Sequence, residues 1–161
     1  MDISIVILHH GSPREVAANL EALKNAWLPE KTEVLVINNG KVGSNGKIPF
    51  DDGDVRCASG CFELRYFEIE NRGYPQGNNF GFALAKGEFL CILNPDIVVR
   101  KDTFKVLLDY LKAHPKVGIV GPRLRYPDDR IQDNYRKFPR PLDLFIKRTF
   151  LRRLFKSRMR S

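Results

Sequence analysis

Residues 3–8, Ile-Ser-Ile-Val-Ile-Leu, leave a chain of this kind few folds to adopt. A run of β-branched and apolar residues broken only by one small hydroxyl is the signature of a strand covered on both faces, and such strands belong to parallel sheets flanked by helices. The first helix signal follows at once. Ser12-Pro13-Arg14-Glu15 has the form of a capping box with Pro at the first helical position, and Val16, Leu20, Leu23 and Trp27 recur at helical spacing up to Pro29. Glu33 to Ile37 is a second apolar run, closed by Asn38-Asn39-Gly40, a turn sequence in which Asn and Gly tolerate positive φ. Strand, helix, strand is the βαβ unit, whose crossover is expected to be right-handed.

The same alternation continues. From Lys41 to about Phe62 periodicity disappears and Gly, Asp and Ser accumulate, as in a long loop. Leu64 to Ile69 reads as a third strand, Gln76 to Lys86 as a helix stopped by Gly87 at its C′ position, and Glu88 to Leu93 as a buried strand ending on Asn94-Pro95-Asp96. A helix beginning near Asp102 carries Val106, Leu107, Tyr110 and Leu111 on one face and stops before Pro115, and Val117 to Val120 is one more strand candidate. The order β-α-β-β-α-β-α-β predicts an α/β fold with a mostly parallel sheet. With 161 residues, 43% of them hydrophobic, the chain has enough for one domain with a real core plus appendages. No stretch approaches the roughly 18 uninterrupted apolar residues needed to span a bilayer, and the N-terminus lacks the pattern of a signal peptide, so a cytoplasmic location is expected. Three cysteines, Cys57, Cys61 and Cys91, argue against a disulfide framework, and no Cys or His pair stands near Cys57 and Cys61 to complete a zinc site.

In open α/β sheets, ligands bind outside the carboxyl ends of the strands. There the sequence puts His9 and His10 after the first strand, Asn38 and Asn39 after the second, Asn71 to Asn79 after the third, and Asn94 to Asp96 after the fourth. A polar ring above an apolar sheet suits a polyhydroxylated, phosphorylated ligand. A P-loop, a dinucleotide G-x-G-x-x-G after a strand and a G-x-S-x-G nucleophile elbow are all absent, which removes support for P-loop ATPases, Rossmann dehydrogenases and serine hydrolases.

Glu70-Asn71-Arg72-Gly73-Tyr74-Pro75-Gln76-Gly77-Asn78-Asn79-Phe80-Gly81 and Gly87-Glu88-Phe89-Leu90-Cys91-Ile92-Leu93-Asn94-Pro95-Asp96 carry the strongest signal. They resemble the family 2 glycosyltransferases, and within them bacterial rhamnosyltransferase-like enzymes with the patterns E-N-x-G-[FY]-x-x-G-N-N-x-G and L-N-P-D. Ser4 to Leu8, Val34 to Gly40, and Val117 through Gln132 fall in the expected order, so the resemblance covers nearly all of residues 3–140. It implies a GT-A type, Rossmann-like sheet flanked by helices and a nucleotide-sugar-binding portion, here residues 1–135. It also implies that Asp96 binds Mg²⁺ or Mn²⁺ across the two phosphates of a UDP- or dTDP-linked sugar, for transfer to a cell-surface glycan. A hard cation held by one or two carboxylates plus substrate phosphates suits that chemistry; as a turn former, Asn-Pro-Asp also explains itself. The substrate-binding candidates are His9, His10, Asn38, Asn39, Asn71, Gly73, Asn78, Asn79 and Asn94. Asn78 and Asn79 are expected to open a helix, where free backbone N–H groups meet sugar hydroxyls or phosphate, or where one of them caps it. Gly73, Gly77 and Gly81 also fit a role in backbone geometry and close packing.

Three departures from the family pattern stand out. Its base-reading Asp after the second strand is Asn38 here, whose carbonyl can still accept from uracil or thymine N3–H but without charge. Its Asn-Tyr-Asn after the first strand is His9-His10-Gly11, a pair that either stacks on a base or covers the end of the sheet. Nothing after Gln132 resembles the acceptor-side Glu-Asp pair that supplies the catalytic base, so no general base is assigned and the acceptor half is expected to be lacking. Donor binding should then separate from transfer. A non-catalytic remnant that binds nucleotide-sugar or a protein partner is the alternative; against a sugar nucleotidyltransferase of related fold, the Gly-rich basic loop of such enzymes is not found after Leu8.

The net charge of +8 is distributed unevenly: residues 136–161 hold ten of the 27 Lys and Arg against the single acid Asp143, leaving residues 1–135 at −1. A near-neutral body with a basic tail points to an anionic surface met by the tail, and the absence of regularly placed aromatics in a folded motif argues against nucleic acid. On a helical wheel Leu144, Ile146, Phe150, Leu151, Leu154 and Phe155 cover one side. Arg148, Arg152, Arg153, Lys156 and Arg160 cover the other, with Lys147 and Arg158 out of pattern. Residues 142–160 would then lie on the inner face of the membrane, or dock on a further part of the protein. Vesicles of phosphatidylglycerol or cardiolipin should co-sediment with the chain, less so as salt is raised. Equal binding by a variant ending at Arg140 would rule out the tail as the contact.

Overall fold

The computed structural model of the chain describes residues 1–11, 13–40, 53–57 and 60–132. Its contacts divide it into two units, Met1–Val120 and Gly121–Ser161. The first contains β1 (Ile3–His9), α1 (Pro13–Asn25), β2 (Thr32–Asn38), β3 (Gly53–Cys57), β4 (Gly60–Glu68), α2 (Tyr74–Leu84), β5 (Phe89–Ile92) and α3 (Thr103–Ala113). The five strands form one sheet in the order β3-β4-β2-β1-β5. β1 pairs in parallel with both β2 and β5, and β2 pairs in parallel with β4; only the edge strand β3 runs antiparallel, against β4. In the second unit the described residues form a short turn, with Arg125 bridged to Ile131 and Asp129 at φ 64.

Every residue of β1 and β2 is buried, as the apolar runs require. Side chains alternate between two cores. Ile3, Ile5, Ile7, Val34 and Val36 pack with Val16, Leu20 and Leu23 of α1 and Phe104 and Leu108 of α3, whereas Val6, Leu8, Leu35 and Ile37 pack with Phe82 and Leu84 of α2. The result is an α/β fold with a mostly parallel sheet flanked by helices. Two glycines let α2 lie directly on the strands: a Cβ on Gly77 would sit 2.6 Å from Leu8 Cδ1, and one on Gly81 2.5 Å from Val6 Cγ1.

Several expectations are corrected. Residues 53–57, read as loop, form β3; their Gly, Asp and Cys content hides a strand that exists by pairing with β4. α2 starts at Tyr74 and not Gln76, and Gly87 is no left-handed cap, since Ala85 ends the helix in extended conformation. Gly87 is instead required by space, because a Cβ there would fall 2.4 Å from the Ser4 nitrogen. α3 buries Phe104 and Leu108 and leaves Val106 and Tyr110 exposed, one helical step from the face expected. Val117 to Val120 is not a strand, and Ile119 is 91% exposed. Asn38, Asn39 and Gly40 have no positive φ; Gly11 does, at 70°. Ser12 of the expected capping box, the boundary after residue 135 and the basic segment 136–161 lie outside the described residues.

A polar lock closes the amino-terminal edge of the sheet. Glu33 of β2 is fully buried, and its Oε1 accepts the Ser4 hydroxyl at 2.6 Å and the Lys86 N–H at 2.6 Å, while its Oε2 accepts from Arg65 at 2.7 Å. Gly87 N–H donates to Ser4 Oγ at 2.7 Å, so the segment between α2 and β5 is tied to both central strands. Burial alone would raise the Glu33 pKa, but the hydrogen bonds from Ser4 and Lys86 and the Arg65 guanidinium outweigh it and hold the carboxyl below its ordinary value. A depressed folded-state pKa means stability that is complete above the unfolded value and lost as pH falls through the folded one. Glu33→Gln should therefore cost about 2–4 kcal/mol at pH 7 in urea unfolding and flatten the loss of stability below pH ~4.5. An unchanged midpoint and acid profile would contradict the lock.

Candidate functional site

Parallel pairing brings the carboxyl ends of β1, β2, β4 and β5 to one edge, and each hands over to a loop of polar residues. His9, the last residue of β1, stands in register with Asn38, the last of β2; they are 4% and 7% exposed. The loops beyond are pressed together. Asn39 N–H donates to His9 O at 3.0 Å, His10 Nδ1–H donates to Asn39 O at 3.1 Å, and a Cβ on Gly40 would meet Gly11 N at 2.9 Å. Asn38 Oδ1 accepts the Gly40 N–H at 2.9 Å, which fixes this approach and leaves one carbonyl lone pair for another donor.

The exit of β4 joins the same cluster. Ile69 N–H donates to Asn38 O at 2.9 Å, and Asn71 Oδ1 accepts the Gly73 N–H at 3.0 Å and an Asn39 Nδ2 hydrogen at 3.4 Å. Gly73 has φ 96, a conformation that L side chains rarely adopt, and from it the chain turns into α2. Tyr74 opens the helix with its ring half exposed, and its hydroxyl donates to Asn94 Oδ1 at 2.9 Å across the gap to the end of β5. Asn94-Pro95-Asp96-Ile97 is a β-turn closed by Ile97 N–H on Asn94 O at 3.1 Å, with Pro at the position where its fixed φ is preferred and Asp96 exposed at the next.

Leu8, His9, His10, Asn39, Asn71 and Tyr74 line an open cavity of about 250 Å³. Four of the expected residues, His9, His10, Asn39 and Asn71, are thus brought together, with Asn38 beneath them, Gly73 at the hinge into α2 and Asn94 linked through Tyr74. Asp96 lies on the adjoining turn and not in the cavity wall. Asn78 and Asn79 do not open the helix. Because α2 begins at Tyr74, they sit in its second turn; Asn78 is buried and donates to Tyr74 O at 3.0 Å, and Asn79 faces solvent.

Among the described residues neither ring nitrogen of His9 has a hydrogen-bond partner, nor does Asn78 Oδ1. Burial first, and then His10 beside it, lower the His9 pKa, against smaller opposing effects of Glu15 and Glu68, so the ring is neutral at pH 7 and offers one donor and one acceptor. Among the described residues no three His, Cys, Asp or Glu side chains gather as a metal cage. Cys91 is a core residue, its thiol pushed up to about 11 by burial.

Two residues of this site carry little signal in the sequence. Tyr74 was legible only as part of a motif, although an aromatic before Pro at a helix start is a useful signal. Asn19, 1% exposed on α1, donates through Nδ2 to Asn94 O at 3.1 Å and to Ile97 O at 2.8 Å. Its signal was a polar residue in the buried stripe of Val16, Leu20 and Leu23.

The profile of glycosyl transferase family 2 matches residues 4–161. A protein of Sinorhizobium fredii, uncharacterized protein y4gI, is 27% identical over 135 residues, which are 81% of this chain and 14% of that protein. The mannosyltransferase PcManGT of Pyrobaculum calidifontis, solved with GDP-Man and Mn²⁺, superimposes with a TM-score of 0.59 at 21% identity, over 79% of this chain and 36% of that one. S. aureus TarS 1–349 with UDP gives 0.55 at 19% identity, over 71% of this chain and 33% of that one, and its complex with UDP-GlcNAc gives 0.54 at 19%, over 71% and 32%. The chain therefore spans between 14% and 36% of the length of these proteins. The structural likenesses establish a GT-A type fold, and with a family profile running over almost its whole length the chain belongs to glycosyl transferase family 2.

Proposed function

We propose that this chain is the donor-binding portion of a glycosyltransferase and holds a UDP- or dTDP-linked sugar across the carboxyl ends of β1, β2, β4 and β5. The observation that carries this reading is the open polar cavity of His9, His10, Asn39, Asn71 and Tyr74, joined by the Tyr74–Asn94 hydrogen bond to the turn bearing Asp96. Uracil and thymine present an N3–H between two carbonyl oxygens, which suits the neutral donor-acceptor groups of the Asn amides at these strand ends. The exposed rings of His10 and Tyr74, which line the cavity, provide surfaces on which a base or ribose can rest. Nucleotide-sugars in TarS and PcManGT lend this support, since both share the fold.

The residues present suit Mg²⁺ or Mn²⁺ better than a caged metal. A single exposed carboxylate on a strand-end turn is a donor set that a hard cation completes with water and phosphate oxygens. Asp96 would hold it, and when bound the ion supplies neutralisation of the diphosphate charge as the sugar departs with oxocarbenium character. The protein's own part is to seat the base and ribose on the β1 and β2 loops and to present the Asp96 carboxylate toward the diphosphate. A rhamnose-type sugar, a cell-surface glycan acceptor, and a cytoplasmic site of action with residues 142–160 on the inner face of the membrane complete the proposal.

Asp96→Asn should lower the Mn²⁺-dependent affinity for UDP or dTDP about tenfold or more, ~1.4 kcal/mol, in isothermal calorimetry, with the affinity in EDTA unchanged. Asn94→Ala should do less. Equal affinities for wild type and Asp96→Asn with Mn²⁺ present would leave Asp96 a turn former and overturn its metal role.

A further inference from the structure

We infer that Asn19 is a positioning residue: it sets the Asp96 carboxylate for metal-diphosphate binding from α1, without touching either. This rests on the reading of Asp96 above, and the experiment separates the two.

The Asn19 amide nitrogen donates to Asn94 O at 3.1 Å and to Ile97 O at 2.8 Å, the first and last carbonyls of the β-turn whose third residue is Asp96. One side chain therefore spans the turn from end to end. The Asn94 carbonyl also accepts the Ile97 N–H, so the two Asn19 bonds add to the closure of the turn itself. Pro95 lacks an N–H and β5 ends at Ile92, so past Leu93, whose N–H still reaches Val6 O at 2.9 Å, the sheet no longer guides the chain, and these bonds act together with the packing of Ile97 on the core.

The arrangement is costly in a way that packing alone does not explain. Asn19 is 1% exposed in the stripe of Val16, Leu20 and Leu23, where an apolar residue would fill the same core, and its Oδ1 has no hydrogen-bond partner. A buried amide that leaves one acceptor unsatisfied and spends both donors on one turn serves the geometry of that turn. Asp96 is exposed at the tip, with no hydrogen bond or ion pair to its side chain among the described residues, so what the protein fixes is the backbone position from which the carboxylate reaches out, and Asn19 grips that backbone. Tyr74 holds the same turn from α2 through the Asn94 side chain, but from an exposed position.

The test is a double-mutant cycle on the full chain, with UDP affinity measured by calorimetry in Mn²⁺ and in EDTA and with folding checked by circular dichroism. Asn19→Ala should reduce the affinity in Mn²⁺ about three- to tenfold and change that in EDTA less than about twofold. In the Asp96→Asn background the same substitution should change neither. Should the alanine variant not fold, Asn19→Ser, which keeps one donor, takes its place under the same criteria. An equal loss in Mn²⁺ and EDTA, or a full metal response in Asn19→Ala, overturns the positioning role while leaving Asp96 as ligand. No effect of Asp96→Asn by itself overturns the metal reading and this inference with it.

Discussion

β1 hydrogen-bonds in parallel to β2 on one side and to β5 on the other, and the remainder of the molecule follows from that pairing. A strand with parallel neighbours on both flanks must be covered on both faces, which is why Ile3, Ile5 and Ile7 meet α1 and α3 while Val6 and Leu8 meet α2. It must also release its loop at the same edge as its neighbours. The chain moves outward from β1 to β2 and β4, then returns to the other flank of β1 as β5, and the cavity opens beside this reversal, over the exits of β1, β2 and β4.

The two edges of the sheet then differ in how far the protein satisfies itself. At the amino-terminal edge Glu33, Ser4, Arg65 and the Lys86 and Gly87 amides close on one another, and the edge is a joint. At the carboxyl edge side-chain hydrogen-bonding capacity is left over. Among the described residues, both nitrogens of His9 and the carbonyl oxygens of Asn19 and Asn78 are buried without hydrogen-bond partners; at the other edge Arg65 Nε lacks a hydrogen bond but lies 3.7 Å from Glu63 Oε1 as an ion pair. Buried polar groups without partners are expensive, and their concentration around the strand ends is the physical ground for expecting a polar ligand there. Glycine makes the crowding possible, since Gly40 against Gly11 and Gly77 against Leu8 leave no room for a side chain.

Much of this was legible in the residues. Runs such as Ile3 to Leu8 state their burial directly, and once the strands were parallel the positions of His9, Asn38, Asn39, Asn71 and Asn94 at one edge followed. Pairing-dependent structure was not legible: Gly53–Cys57 has no alternation and is a strand only because β4 offers an edge. Helix starts were displaced where glycine conformation decides them, as at Gly73, which moved Asn78 and Asn79 from the helix tip into its second turn. Asn19 acts across 75 residues of sequence, on a partner that local periodicity does not reveal.

The central claim is that nucleotide binds over the carboxyl ends of the parallel strands. Backbone amide chemical shifts of the ¹⁵N-labelled chain, titrated with UDP and Mg²⁺, test it most directly. The largest shifts are expected at His9 to Gly11, Asn38 to Gly40, Asn71 to Tyr74 and Asn94 to Ile97, with the Ser4, Glu33 and Gly87 amides unmoved. Shifts concentrated at that opposite edge, or saturable binding with none at the strand ends, would contradict it.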